Sequence, residues 1–306
     1  MPAARYRPSP LGAAAQVWAT SVTPKNEKRA EGFGGGLALD SGRLYVTTGY
    51  GTVVGIDPGK GTVLWTQKVG EPVRSSPTAS GGKVYFVSTD SVLHCLDGND
   101  GQELWTARGV PEPATLLSNV SPAVGQGLVV AAFPAGDITA YGVGSGEPAW
   151  RESLARTSET SAAGILADPA RPVIDRGVVF VVGHGGRMIA VSESSGERLW
   201  SRNVTSTQMP YSAGDAVFVV DVNGKLMALS RADGKVRWIT QLPAPPGGMG
   251  RFSPAASFGW SRRRARSWPW TREVARSRAR RRSVRRYSSR RLWLAAACIF
   301  WPTTPC

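Results

Sequence analysis

The stretch richest in reactive side chains is Cys95–Trp105, CLDGNDGQELW, where a cysteine, two aspartates and a glutamate follow directly on His94. Such a grouping could form a redox centre or an acidic site. Neighbours on a strand point to opposite faces, however, so His94 and Cys95 cannot share a metal ion. The second histidine, His184, sits in a GHGG turn with no other ligand cluster beside it, and it reads as an exposed turn residue. The three cysteines, Cys95, Cys298 and Cys306, form no CxxC pair and no disulfide framework. No Ser-His-Asp grouping, phosphate-binding loop or dinucleotide fingerprint appears.

The acidic stretch is explained by its sister copies. GIDPGKGTVLW (55–65), AYGVGSGEPAW (140–150), AVSESSGERLW (190–200) and ALSRADGKVRW (228–238) share its grammar. Counting back from each Trp, the fourth residue is always Gly: Gly61, Gly101, Gly146, Gly196 and Gly234. The tenth is always small: Gly55, Cys95, Ala140, Ala190 and Ala228. A repeated pattern of this kind is structural before it is chemical. The glycine supplies a turn, the small residue gives room, and the tryptophans Trp65, Trp105, Trp150, Trp200 and Trp238 act as wedges against a neighbouring sheet, the three together making one socket per copy. On this reading Cys95 is a small filler. Trp18, in QVWATSV, reads as the tail of an earlier copy.

The elements that must carry these residues are short strands. Between Trp65 and Trp105 the chain runs through a Ser-Pro step (Ser76, Pro77), a Gly81-Gly82 turn, the alternating run KVYFVSTD, a turn at Asp90-Ser91, VLHCLD, the GNDG turn and ELWTAR. Period-two alternation of β-branched and aromatic residues between turn residues predicts four strands joined by hairpins. Helical periodicity is absent through residue 240. Successive tryptophans from Trp18 to Trp238 lie 47, 40, 45, 50 and 38 residues apart. Four strands in a unit of about 40–50 residues predict an all-β fold, a β-propeller of four-stranded blades.

The motif small-x-Asp-x-x-Thr-Gly-x-x-x-Trp resembles the tryptophan-docking motif of the PQQ-like β-propeller repeat. Asp57 and Asp97 keep its aspartate, Gly142, Ser192 and Ser230 replace it, and the Thr is absent from all five copies. Over RPVIDRGVVFVVGHGGRMIAVSESSGERLWSR and VFVVDVNGKLMALSRADGKVRW the chain is most similar to the BamB-like outer-membrane assembly lipoproteins. That resemblance implies an eight-bladed propeller, of which about five blades and a fragment are written here. It also implies a non-catalytic scaffold of the barrel-assembly machinery on the periplasmic face of the outer membrane, without a cofactor, that binds a BamA-like partner and aids insertion of β-barrel proteins. Unfolded outer-membrane protein segments are a further partner class, taken by strand addition. Quinoprotein dehydrogenases share the repeat but also carry adjacent cysteines over a PQQ cofactor and a calcium-binding acid. No two cysteines are adjacent here, which weighs against a PQQ-dependent enzyme.

Charge divides the chain sharply. The net +15 is concentrated after residue 250, where 15 Arg face a single acid, Glu273, leaving 22 basic and 21 acidic residues in the first 250. The reading is therefore an unstructured segment at 1–15, PQQ-like repeats at 16–243 and an Arg-rich tail at 244–306. The tail has lost the turn-strand rhythm, and its composition reads as disordered or as a stretch translated out of frame. Arg interleaved with Trp is otherwise a pattern for nucleic acid or an anionic membrane, which makes an Arg-rich nucleic-acid-binding protein the alternative from another class. With the tail set aside, no nucleic-acid partner is expected. No run reaches the about 18–20 apolar residues of a membrane span, and neither a signal-peptide core nor a lipidation cysteine is written near Met1. Five blades without ring closure predict a chain that folds poorly and aggregates through its open edges.

Function is to be sought where the copies differ most. The surplus length between Trp150 and Trp200 lies in Arg151–Pro172, and long loops on rigid scaffolds are where partners bind. There Leu166, flanked by Asp168 and Arg171, offers an apolar anchor with charges. The BamB resemblance adds the turn of the next blade, Asp221 and Asn223, to this partner-binding set.

Overall fold

The computed structural model describes residues 17–24, 35–109, 120–154 and 169–243. These form five four-stranded antiparallel sheets and no helix. Blade one holds β1 (Gly35–Asp40), β2 (Arg43–Thr48), β3 (Thr52–Ile56) and β4 (Val63–Lys68). Blade two holds β5 (Thr78–Ser80), β6 (Lys83–Val87), β7 (Val92–Asp97) and β8 (Glu103–Arg108), and blade three β9 (Ala123–Val124), β10 (Leu128–Ala132), β11 (Asp137–Gly142) and β12 (Pro148–Ser153). Blade four comprises β13 (Val173–Asp175), β14 (Val178–Val182), β15 (Met188–Ser192) and β16 (Arg198–Arg202); blade five comprises β17 (Tyr211–Ala213), β18 (Ala216–Val220), β19 (Lys225–Ser230) and β20 (Val236–Gln241). Strand order follows the chain in every sheet, as hairpins of this length require. The fold is an all-β propeller.

The chain divides into two units, Met1–Ile239 and Thr240–Cys306. Of the second, only residues 240–243 are described, so the expectations for the Arg-rich tail, like that for residues 1–15, lie outside the described residues.

Each core cluster lies between two successive blades. Tyr45 and Val53 meet Val84, Phe86 and Leu96. Tyr85, Leu93 and Cys95 meet Val129, Ala131 and Phe133. Val130, Ile138 and Trp150 meet Val179, Val181 and Ile189, and Phe180, Met188 and Trp200 meet Val217, Val219 and Leu229. Strand alternation gives every central strand two apolar faces, one for each neighbour, which is why β3, β7, β11 and β15 read as almost continuous apolar runs.

The tryptophan motif works across blades. Within a sheet the small residue lies directly opposite its own Trp, as in Gly55↔Trp65 and Cys95↔Trp105, and the ladder shifts register immediately afterwards. The glycine receives the Trp of the preceding copy. Gly101 has φ +79°, and a Cβ there would lie 2.5 Å from Cε3 of Trp65. Both the backbone conformation and the close approach therefore require glycine. One socket per copy, as the sequence suggests, is thus corrected: each socket is built from two copies, because the wedge must fill the gap between blades and not the interior of its own sheet.

Candidate functional site

Five joints of this kind are described. The indole N–H of Trp18 donates to Pro58 O at 2.8 Å, Trp65 to Gly98 O at 3.1 Å and Trp105 to Val143 O at 3.2 Å. Trp150 donates to Glu193 O at 2.7 Å and Trp200 to Arg231 O at 2.9 Å. In every case the acceptor stands seven residues before the next Trp. Trp18, read from sequence as the tail of an earlier copy, lies against Gly61 in the same manner.

Polar contacts reinforce these joints at the rim that carries the glycine turns. Asp40 accepts from Gly82 N at 3.1 Å, and Lys83 Nζ donates to Val143 O at 3.1 Å. Glu193 is buried with 4% exposure and accepts from Gln126 N at 2.6 Å. Arg198, at the glycine-turn end of β16, reaches along the joint to grip Glu152, near the far end of β12, through two bonds of 2.6 and 2.9 Å. Asp175 is a hub: Ser212 Oγ donates to it at 2.8 Å and Arg231 Nε at 3.2 Å. Burial raises the Asp175 pKa, but the Ser212 hydroxyl, Arg176 and Arg231 outweigh it and hold the carboxyl below the usual range. This rim is occupied with holding the blades together.

The opposite rim of blades four and five has a different construction. The end of the long loop pairs with the His184 turn, which pairs in turn with the strand connection: Pro169↔Gly183 antiparallel and Gly183↔Thr205 parallel. Ala170 N donates to Val182 O at 2.8 Å, Ser206 N to Gly183 O at 3.3 Å and Val222 N to Thr205 O at 3.1 Å. The loop end, the exposed His184 turn, Thr205 and the Asp221–Asn223 turn therefore form one backbone-bonded surface. Asp221 shapes its turn by accepting from Asn223 N at 2.9 Å and Lys225 N at 2.7 Å, leaving Asn223 exposed.

Arg171 points elsewhere. Its Nη2 donates to Thr78 Oγ1 at 3.1 Å, and Thr78 Oγ1 donates to Pro122 O at 2.6 Å, so the guanidinium reaches from blade four to the innermost strand of blade two. Burial lowers its pKa. Leu166 and Asp168 lie outside the described residues.

One constellation escapes sequence reasoning. Ser88 Oγ lies 3.1 Å from His94 Nε2, and His94 Nδ1 lies 2.9 Å from Glu103 Oε2. The sequence shows no Ser-His-Asp grouping, yet the fold assembles a Ser-His-Glu line, because the β6–β7 turn folds Ser88 back over His94. Its surroundings do not suit a nucleophile. Ser88 is only 4% exposed, its hydroxyl also faces Asp90 and Val92 O, and its own N–H is taken by Val92 O at 2.9 Å. His94 stacks on Phe86 with ring centroids 5.0 Å apart, so the line braces a hairpin. Cys95 faces the other side of β7, where burial pushes its thiol up to about 11. Among the described residues no group of three His, Cys, Asp or Glu side chains could hold a metal ion.

Known proteins with similar sequences point one way. Outer membrane protein assembly factor BamB of Nitrosomonas eutropha is 29% identical over 174 residues, which cover 56% of this chain and 42% of that protein. The BamB of Yersinia pestis is 24% identical over 196 residues, covering 62% and 50%. The chain spans about half the length of these curated relatives. Among solved structures, BamB from Moraxella catarrhalis superposes with a TM-score of 0.61 at 18% identity, over 68% of this chain and 63% of that one. A europium-containing methanol dehydrogenase reaches 0.56 at 15% identity, over 69% and 51%. Likeness at these identities shows the fold alone. The family model that matches residues 12–240 is that of outer membrane protein assembly factor BamB, and the chain belongs to this family.

Proposed function

We propose that the chain is a non-catalytic scaffold of the barrel-assembly machinery at the periplasmic face of the outer membrane, where it binds a BamA-like partner and aids assembly of β-barrel proteins. The observation that carries this reading is the family match across the whole run of repeats, residues 12–240. The surface joining Pro169, the His184 turn, Thr205 and the Asp221–Asn223 turn supports it, because its backbone is tied across blades four and five while His184 and Asn223 stay exposed on it. On this reading Leu166 and Asn223 touch the partner, Asp168 and Asp221 supply its charged margin, and Arg171 anchors the loop base through Thr78.

The test is a titration of the full chain against the immobilised periplasmic region of a BamA-type protein. Saturable binding is expected, weakened about tenfold or more, ~1.4 kcal/mol, by Leu166→Asp or Asn223→Arg, with melting unchanged. Absence of binding would sink the proposal. The methanol dehydrogenase likeness gives the rival reading its own arm: reduction of a quinone-coupled dye by the chain with added PQQ and an alcohol would favour an enzyme.

A further inference from the structure

Five tryptophans of the docking type are seated, and the sixth is not. Trp150 and Trp200 are buried and Trp18, Trp65 and Trp105 are partly buried, each with an acceptor for its indole N–H, whereas Trp238 is 38% exposed and, among the described residues, its indole N–H has no acceptor. The face it belongs to is fully formed. Phe218, Val220, Leu226, Ala228 and Trp238 hold the register that Tyr85, Val87, Leu93, Cys95 and Trp105 hold in blade two, and Phe218 lies under Trp238 at 5.9 Å as Tyr85 lies under Trp105. In blade two that face is buried against blade three. In blade five Phe218, Val220 and Leu226 are only half-buried. Its chemistry is complementary to one thing above all: a blade whose hairpin glycine can take an indole ring.

This chain carries such a blade with a replaceable occupant. The Gly61 socket is filled by Trp18, which arrives on residues 17–24, a segment without a strand. Two side-chain bonds seat it, Trp18 Nε1 to Pro58 O at 2.8 Å and Thr20 Oγ1 to Gly61 O. We propose that the open face of blade five docks on blade one of a second copy of this chain, with Trp238 of one copy displacing Trp18 of the other from the Gly61 socket. A tryptophan occupies the socket before and after the exchange. The net gain is burial of the half-exposed Phe218, Val220 and Leu226 together with release of the 17–24 segment, both of which favour association. The contact is head-to-tail, so each added copy presents a fresh Trp238 face. The inference is independent of any BamA-like partner.

Sedimentation velocity on the full chain over a roughly hundredfold concentration range reads the outcome. Wild type should associate with rising concentration. Trp238→Ala should raise the dissociation constant by about tenfold or more, and Trp18→Ala, which vacates the socket, should lower it about tenfold. Leu226→Glu, a change on the same face that leaves every tryptophan in place, should weaken association as Trp238→Ala does, and it decides the matter if circular dichroism shows Trp238→Ala to be unfolded. A wild type that stays monomeric throughout, association indifferent to both face variants, or weakening by Trp18→Ala would overturn the proposal.

Discussion

The first two described blade-to-blade joints within the strand repeats use one template and end differently. Between blades one and two, Gly98 O accepts from Trp65 Nε1 at 3.1 Å and from Tyr45 OH at 3.3 Å. Tyr85 stands where Tyr45 stands, twenty residues before its Trp, and tilts against Trp105 at 5.9 Å as Tyr45 does against Trp65 at 6.0 Å. Between blades two and three, however, Val143 O accepts from Trp105 and from Lys83 Nζ. A carbonyl has two lone pairs, and both are taken. Tyr85 OH is completely buried and, among the described residues, meets no hydrogen-bonding nitrogen or oxygen; the thiol of Cys95, a weak partner, stands opposite it on β7. Burial pushes this phenol's pKa up. The repeat thus fixes the wedge and the socket, while the ring beneath them is free to vary even where it leaves a polar atom stranded.

The largest effect should treat both joints alike. Trp65→Ala and Trp105→Ala each remove the wedge of a joint, and each should cost ~3–5 kcal/mol, read as a fall in the urea midpoint. If one variant were silent, the shared template would not be what holds the blades. The next pair should split the joints by sign. Tyr45→Phe removes a bond to Gly98 O and should destabilise by ~0.5–1.5 kcal/mol. Tyr85→Phe removes a buried hydroxyl that faces only a weakly bonding thiol and should stabilise by ~1 kcal/mol. Equal losses in both would mean that Tyr85 OH has found a partner in solution.

Much of this architecture is legible because each copy writes it locally. Turn glycines, alternating strands and the spacing of Trp are properties of a stretch of chain, and five copies average out the accidents. The two-copy socket is not local. No single repeat says whether Gly101 serves Trp105 or Trp65, and only the sheet register decides. The Ser88–His94–Glu103 line was findable by comparing copies: eleven residues before the Trp stand Val54, Thr139, Ile189 and Met227, so a histidine there is the odd residue, and Glu103 has Val63, Pro148, Arg198 and Val236 for counterparts. The same alignment marks Glu193 and Arg231, whose counterparts are Pro58, Gly98 and Val143, and both prove to be clamps. Arg171 was beyond reach, because its direction depends on Thr78, 93 residues away.

The smallest predicted effect concerns a joint clamped by charge. Between blades four and five, Arg231 supplies Trp200 with its carbonyl, lies over the Phe180 ring at 5.8 Å and pairs with Asp175. A carboxyl whose native pKa is lowered contributes stability that is present above its unfolded value of about 3.9 and lost as pH falls through the native one. The Asp175 side chain is 30% exposed, so solvent screens the pair and the contribution is small. Wild type should therefore lose slightly more of its urea midpoint than Asp175→Asn between pH 7 and pH 3, since the variant has no carboxyl to protonate, and added salt should narrow the gap. Identical acid losses would leave the joint resting on Trp200 and its neighbours, as the first joint rests on Trp65, and would remove charge from the account of how these blades are held.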